Sequence, residues 1–427
     1  MSFAPYEETI TSDLADEVHT LARRLRGVRF AHLNSTATGG GVAEILRSLV
    51  PLMRAVGLDA NWYVFKPQKM LPFFGMTKRV HHLLQGANGL LSEEERKVYL
   101  ESVQEGARHL ATAGMGDDVL FVHDPQLLPL AQFLNGAVPQ VRLWVCHIDI
   151  SHPNARVVEE LLPFVWKYDG AVFSNVEYIL GNLGGLTTYV APPAIDPLSP
   201  KNVFMGRDTA RALMSRMGID PHRPVITQVS RFDIWKDPRG VVDAYRLARR
   251  EVPSLQLVLM GVMEAQDDPD ACLVLREVEE SVAGDPDIHL IWDAKRLPDT
   301  VDRVVNALQT GSDVVLQKSL REGFGLTVAE AMWKGAAVIG GNVGGIRLQV
   351  RDGVSGFLVN SVEEAAGRIV ELVRNPDLRA SLGRAARESV RANFLMPRLL
   401  RDYLRIADGR VNRHVAHSHV QRAAQPQ

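Results

Sequence analysis

Ser319–Gly341, SLREGFGLTVAEAMWKGAAVIGG, follows the β-branched run Asp313-Val-Val-Leu-Gln317 and closes on Ala336-Ala-Val-Ile-Gly-Gly341. A strand, a glycine turn, an amphipathic helix over Leu326 to Lys334 and a second strand therefore follow one another. A crossover helix of this kind joins parallel strands. Within it, Glu322 precedes a flexible Gly323-Phe324-Gly325 turn and Glu330 lies about one turn inside the helix. Two carboxylates thus flank a helix N-terminus, where the backbone N–H groups near Leu326 and Thr327 and the helix dipole favour an anion such as a diphosphate. On spacing alone the same pair reads as a loop charge and a solvated helix carboxylate.

The alternation extends in both directions. VRFAHLN, a helix over Val42 to Val56, ANWYVF, DVLFVHD, VRLWVCHID, a helix over Ala155 to Lys167, GAVFS and TTYVAPPAID fill the first half. PVITQVSRF, a helix over Pro238 to Glu251, LQLVLMG, Ala271 to Ala283, IHLIWD, Thr300 to Thr310, DVVLQ, AAVIGG, GFLVN and Val362 to Arg374 fill the second. Each half predicts an α/β doubly wound parallel sheet. APPAIDPLSPKN, Ala191 to Asn202, supplies the hinge between them. Two such domains are expected to face each other across a deep cleft lined by the carboxyl ends of their strands. The boundaries read as residues 1–198 for the first domain, joined by a C-terminal helix over 397–410, then 199–396, then a disordered tail over 411–427.

A chain of 427 residues exceeds one hydrophobic core. Its 48 Lys and Arg against 50 Asp and Glu argue against bulk attraction to nucleic acid. Cys146 and Cys272 lie far apart and make no metal-ligand spacing, so buried thiols in a reducing compartment fit them. The acidic N-terminus lacks a signal-peptide layout and no apolar run has spanning length, which reads as a cytoplasmic protein without membrane association. The histidines of the tail show no periodicity, and disorder suits them better than a metal site.

Four constellations carry chemistry. Gly39-Gly40-Gly41 sits between a strand and a helix, where glycine lets backbone approach a phosphate or sugar, although such turns are as often structural. It is neither a GxGxxG fingerprint nor a phosphate loop. Arg231 and Lys236, in SRFDIWKD, place two cations at a strand end, able to hold a diphosphate or to stand as solvated loop charges. His123-Asp124 and His147-Ile148-Asp149 end two first-half strands, fit for sugar hydroxyls or proton transfer, or for plain strand-end packing. Neither a nucleophile elbow nor a zinc motif is present.

Together, the glycine turn, Arg231 and Lys236, Glu322 with Glu330, Gly344-Gly345 and Asp352-Gly-x-x-Gly356-Phe-Leu resemble the retaining GT-B glycosyltransferases of family 4. NSTATGGGVAEIL, HDPQ, CHID, PPAIDPLSPKN, ITQVSRFDIWK and REGFGLTVAEAMWKG look like the trehalose glycosyltransferring synthases, over roughly Arg29 to Arg405. The resemblance implies two Rossmann-like domains and reversible formation of trehalose from a nucleotide-diphosphate glucose and free glucose. It implies a catalytic set of Arg231, Lys236, Glu322 and His147. Gly40, Gly41, Gly323, Phe324, Gly325, Leu326, Thr327 and Glu330 would hold the donor, with Glu322 on its glucose and Glu330 on its ribose. Asn34, His123 and Asp149 are the candidates for the acceptor. No tightly bound cofactor is implied; Mg²⁺ could assist the nucleotide sugar, and a homodimer is the assembly expected. A trehalose phosphorylase on the same scaffold is the first alternative, and a sugar-nucleotide sensor without activity the second.

Overall fold

The structure, a computed structural model, describes residues 2–67, 70–112, 117–134, 139–262 and 271–423. The chain divides into two compact units, Met1–Pro193 with Met396–Gln427, and Ala194–Leu395. The sequence reading had placed the boundary five residues later, at 198/199. Ile195 bridges Leu395 and its N–H donates to the Phe394 carbonyl at 2.9 Å, so the chain enters and leaves the second unit side by side.

In the first unit, β1 (Arg29–Asn34), β2 (Asp59–Val64), β3 (Val119–His123), β4 (Val141–Cys146), β5 (Gly170–Phe173) and β6 (Thr187–Val190) form one sheet in the order β2-β1-β3-β4-β5-β6. Every neighbouring pair is parallel. The reason is in the strands: Val119 to His123 are buried without interruption, as expected where helices cover both faces. Helices Gly41–Ala55 and Ala155–Val165 fall where their apolar spacing predicts.

The second sheet contains β7 (Val225–Val229), β8 (Gln256–Met260), β9 (Ile288–Ile291), β10 (Val314–Gln317), β11 (Val338–Gly341) and β12 (Phe357–Val359), ordered β12-β11-β10-β7-β8-β9, again all parallel. In each sheet the strand order reverses once, between β1 and β3 and between β7 and β10. Crossovers leave such a point in opposite directions, which opens a crevice at the carboxyl ends of the two strands.

Several elements escaped the sequence reading: helices Ser12–Arg24, Met70–Leu84, Glu93–Thr112 and Pro376–Asn393, and the short helix Gly344–Gln349. The C-terminal helix starts at Met396 and continues to Ala423, past residue 411 where a disordered tail was expected. Nothing between Val411 and Ala423 is a Gly or Pro, so no residue there breaks the helix. Side chains beyond Val411 and residues 424–427 lie outside the description. Arg24 pairs with Asp408 at 2.7 Å and Arg405 with Glu17, tying this helix to Ser12–Arg24. Cys146 is buried as expected, but Cys272 is exposed on the helix Ala271–Val282. No helix among the described residues is long and apolar enough to cross a membrane.

Candidate active site

The second unit gathers its charged candidates at the β7/β10 reversal. After β7 the chain forms a single 3-10 turn, Ile234–Lys236, whose Asp233 carboxylate accepts from the Trp235 N–H at 2.8 Å. Asp237 then adopts a left-handed conformation (φ 48°, ψ 51°), which swings the chain into helix Pro238–Arg249, and its carboxylate caps that helix by accepting from the Gly240 N–H at 3.1 Å. The turn aims Lys236 at the neighbouring loop: its Nζ donates to Glu322 Oε2 at 2.6 Å, and Ser319 Oγ reaches the same oxygen at 3.2 Å. Lys318, at the end of β10, pairs with Asp237. Gln228 stitches the strand ends together, accepting from the Lys318 N–H at 3.0 Å and donating to the Lys236 carbonyl at 2.9 Å. Lys318, Asp237 and Gln228 were missed; the signal for Gln228 and Lys318 was position alone, within one residue of the ends of β7 and β10, and for Asp237 its place before Pro238 at a helix start.

The site is thus two crossed ion pairs, only partly open to solvent. Lys236 and Glu322 side chains are 16% and 11% exposed, which shields their attraction from bulk water and salt. Arg231 is more open, its guanidinium 3.7 Å from Asp233. Lys236 retains donor capacity beyond Glu322, since an ammonium carries three N–H bonds.

Beyond Glu322 the glycine turn does what its sequence suggests. Gly325 has φ 83° and stands as N-cap of helix Leu326–Trp333 with no side chain capping it. Gly345 comes against this turn: its N–H donates to the Glu322 carbonyl at 2.9 Å, and an added Cβ would meet Phe324 Cα at 2.2 Å. Only glycine tolerates that approach. The Phe324 ring packs inward on Phe394, so any contact of Phe324 with a donor is through its backbone. Thr327 Oγ1 donates to Gln317 Oε1 at 3.0 Å. Glu330 is 1% exposed and lies against Lys201 Nζ (3.5 Å) and Gln309 Nε2 (3.3 Å). The sequence reading had not included Lys201.

The first unit places its candidates at the β1/β3 reversal. Asn34, ending β1, donates to the Thr36 carbonyl at 2.7 Å and accepts from Trp62 Nε1 at 2.8 Å, shaping the start of the glycine turn. Gly39 has φ 85°, and Gly40 is the N-cap of Gly41–Ala55. A Cβ at Gly40 would meet only Thr36 Oγ1, at 3.9 Å, so the surrounding protein leaves room there. Asp149 accepts from the Ser151 N–H and hydroxyl at 3.0 and 2.6 Å. His123 was a candidate for the acceptor side. It is 1% exposed, and both its ring nitrogens lie within hydrogen-bond distance of other imidazoles, His32 at 3.1 Å and His147 at 2.9 Å. Burial lowers the pKa of His147 to about 4 and of His32 to about 3, and holds His123 well below the usual range. All three are neutral at pH 7. Asp124, strained at φ 62°, accepts from the His147 N–H at 2.9 Å, and burial raises its carboxyl to about 7. Among the described residues, no group of three or more His, Cys, Asp or Glu is arranged to hold a metal.

Two parallel six-stranded sheets flanked by helices, with carboxylate, cation and glycine turn at a reversal of strand order, define a GT-B glycosyltransferase. The fold matches the trehalose 6-phosphate synthase of Burkholderia multivorans (TM-score 0.69, 18% identity, 91% of this chain and 99% of that one). It also matches HepE of Anabaena, solved with UDP and glucose (TM-score 0.64, 16% identity, 90% and 100%). Residues 32–180 match the trehalose synthase N-terminal domain and residues 211–389 the glycosyl transferases group 1. The trehalose synthase of Rubrobacter xylanophilus is 45% identical over 95% of this chain and 96% of its own, and that of Pyrococcus horikoshii 41% over 94% of each. The chain belongs to the trehalose synthase family and is a hexosyltransferase of trehalose metabolism. The trehalose phosphorylase of Pleurotus pulmonarius is more distant, 31% identical over 90% of this chain and 58% of its own.

Proposed function

We propose that the chain is a retaining glucosyltransferase that forms trehalose, reversibly, from a nucleotide-diphosphate glucose and free glucose. The observation that carries this reading is the Lys236–Glu322 pair, 2.6 Å apart at the β7/β10 reversal beside an uncapped helix N-terminus. A cation there offsets the charge that grows on the departing diphosphate, with Arg231 adding a forked donor at the more exposed edge. Glu322, already bound by an ammonium and a hydroxyl, is a poor nucleophile and a good acceptor for glucose hydroxyls. Gly323 to Thr327 approach the diphosphate and sugar through backbone, as do Gly40 and Gly41. Glu330, oriented by Lys201 and Gln309, takes the ribose hydroxyls. His147 meets the donor sugar, and Asn34 and Asp149 stand on the acceptor side.

With no enzymic nucleophile in this set, retention follows from a same-face displacement. The C1–O bond to the diphosphate breaks as the acceptor oxygen bonds to C1, and the acceptor's hydroxyl proton passes to the leaving phosphate oxygen. Incubation with ADP-, UDP- or GDP-glucose plus glucose is expected to yield trehalose by chromatography, with the nucleoside diphosphate released in equal amount; no trehalose from any donor refutes the reading. The Pleurotus relative favours one second reading, a phosphorylase taking inorganic phosphate at the same cations. Trehalose consumption that requires phosphate and ignores nucleoside diphosphates would establish it instead.

A further inference from the structure

One residue of the ion-pair corner holds a conformation that its sequence disfavours. Asp237 sits at φ 48° and ψ 51°, and with Asp124 it is one of two non-glycine residues of positive φ among the described residues. Left-handed backbone is strained for a residue with a side chain, and the Pro238 that follows biases Asp237 further toward extended backbone. Such a turn persists only where its surroundings fix it.

Three contacts do so. The Asp237 N–H donates to the Ile234 carbonyl at 3.2 Å, Asp237 Oδ1 accepts from the Gly240 N–H at 3.1 Å, and Asp237 Oδ2 pairs with Lys318 Nζ. The first two lie within the turn and the helix it starts; the third reaches it from β10. Lys318 is 7% exposed, and its own N–H is held by Gln228. Gly240 makes room for the pair, since a Cβ there would meet Asp237 Oδ2 at 2.2 Å and Lys318 Nζ at 2.7 Å. Other cations of this corner are engaged elsewhere: Arg231 lies 3.7 Å from Asp233, Arg239 3.7 Å from Glu277, and Arg321 stands 5.6 Å over the Trp235 ring. Lys318 is thus the cation that balances Asp237.

Were the turn to relax, the loosely held side of it would move. Helix Pro238–Arg249 is anchored by Val241, Val242, Ala244 and Tyr245, all fully buried. The 3-10 turn Ile234–Lys236 buries none of its residues, and Ile234 is 57% exposed. Lys236 is on the side that gives way.

The geometry points to Lys318 as a positioning residue for the transfer: by pairing with Asp237 it holds the left-handed turn that keeps Lys236 on Glu322, without itself meeting substrate. This deepens the glucosyltransferase reading and rests on it for the diphosphate that Lys236 serves.

The test uses full-length protein, kinetics with ADP-, UDP- or GDP-glucose plus glucose, and calorimetric binding of ADP, UDP and GDP. Lys318→Met removes the charge at nearly the same length. It is expected to lower kcat about 10–10²-fold, the scale for a misplaced group, with the KM for glucose changed by less than about twofold. Lys318→Met/Asp237→Gly is expected to return kcat to within about threefold of wild type, because glycine takes the left-handed turn freely and still serves as an N-cap. Gly240→Ala gains helix propensity but parts the pair, and is expected to fold and to lose kcat as Lys318→Met does. Affinity for the nucleoside diphosphate should fall and recover in the same order. Wild-type kcat in Lys318→Met overturns the proposal, as does a folded double variant no faster than the single one. If Lys318→Met does not fold, Gly240→Ala with wild-type kcat, or a slow double variant, overturns it equally. A wild type that turns over no sugar nucleotide, yet binds a nucleoside diphosphate with the same loss and recovery, supports the positioning and removes the trehalose reading. A wild type that does neither overturns both.

Discussion

The two strand-order reversals of this molecule solve the same problem in opposite ways. At β7/β10 the polar groups are charged and paired, Lys236 with Glu322 and Lys318 with Asp237. At β1/β3 the ring nitrogens are neutral and passed from histidine to histidine, with an unused atom at each end. Paired charges can exchange partners: when an anion takes up the cation, the carboxylate turns to hydroxyl or N–H donors, because a buried charge left unpaired is costly. A neutral row cannot answer a change of charge, but it fixes direction, which suits hydroxyl groups that differ only in where they point. In the proposed reaction the growing charge falls to the second unit, which also takes hydroxyls through Glu322 and Glu330, while the histidine row of the first unit offers neutral groups alone.

The strongest way to break that contrast is at the ion pair. Lys236→Ala and Glu322→Ala are each expected to lower kcat/KM about 10²–10³-fold, the range for losing one preorganised electrostatic contact. The double variant should be barely worse than either, because residues acting as a unit are not additive. Fully additive losses, measured with nucleotide-diphosphate glucose and glucose, would mean two independent contacts. Next comes the glycine approach that presses on the Glu322 turn. Gly345→Ala, whose Cβ would meet Phe324 Cα at 2.2 Å and the Gly323 carbonyl at 2.5 Å, is expected to remove about 2–3 kcal/mol from unfolding in urea. Gly367→Ala, on helix Val362–Arg374 with nothing within 4 Å, is the matched control and should stabilise by about 0.5–1 kcal/mol.

Acid sharpens the comparison from the other side. The pKa of His32 is lowered from 6.5 to about 3 and that of His147 to about 4. The unfolded chain therefore binds their protons first, and their contribution to stability is complete above pH 6.5 and lost as pH falls toward 4 and then 3. Asp124, raised to about 7, acts in the opposite sense: its contribution is present at low pH and lost as pH rises through 7. The row holds three histidines against one carboxyl, so stability of the first unit should fall between pH 6.5 and 4. His32→Phe should make that fall shallower by about 1.4 kcal/mol per pH unit, one proton's worth, read from urea midpoints across the range. An unchanged slope would mean that His32 takes its proton without unfolding. The smallest effect is expected at Arg231, half open and 3.7 Å from Asp233. Arg231→Ala should lower kcat/KM about tenfold, and Arg231→Lys should restore only part, since an ammonium lacks the planar fork.

What the sequence disclosed follows from how local each signal is. The strand–turn–helix–strand unit around Glu322 is contiguous, so its glycines and carboxylates announce themselves. Arg231 was legible because it lies two residues past β7, and Lys236 because it belongs to the same loop between that strand and the next helix. Helix Ser12–Arg24 carries an apolar stripe, Leu14, Val18, Leu21 and Leu25, after a Thr-Ser-Asp start, but Asp13, Asp16 and Glu17 interleave with it and weaken the signal. His32 could not be read at all. It is one polar residue inside an apolar strand, and its meaning comes from β3 lying beside β1 in a given register, some ninety residues away. The surroundings of His123 were hidden for the same reason: its neighbours across the sheet, His32 and His147, approach both ring nitrogens. Lys201 and Gln309 reach Glu330 from separate loops and helices, which spacing along the chain does not record.

The stepped register has a consequence for how this chain can vary. A substitution at His32 alters one ring, but a single-residue insertion or deletion within β1 or β3 would turn the affected histidine to the opposite face of the sheet and cut the row in two. Loops outside the strands can change length without that penalty. Length polymorphism among related chains should therefore collect outside Arg29–Asn34 and Val119–His123, and a library of one-residue indels would find these strands intolerant even where single substitutions are accepted.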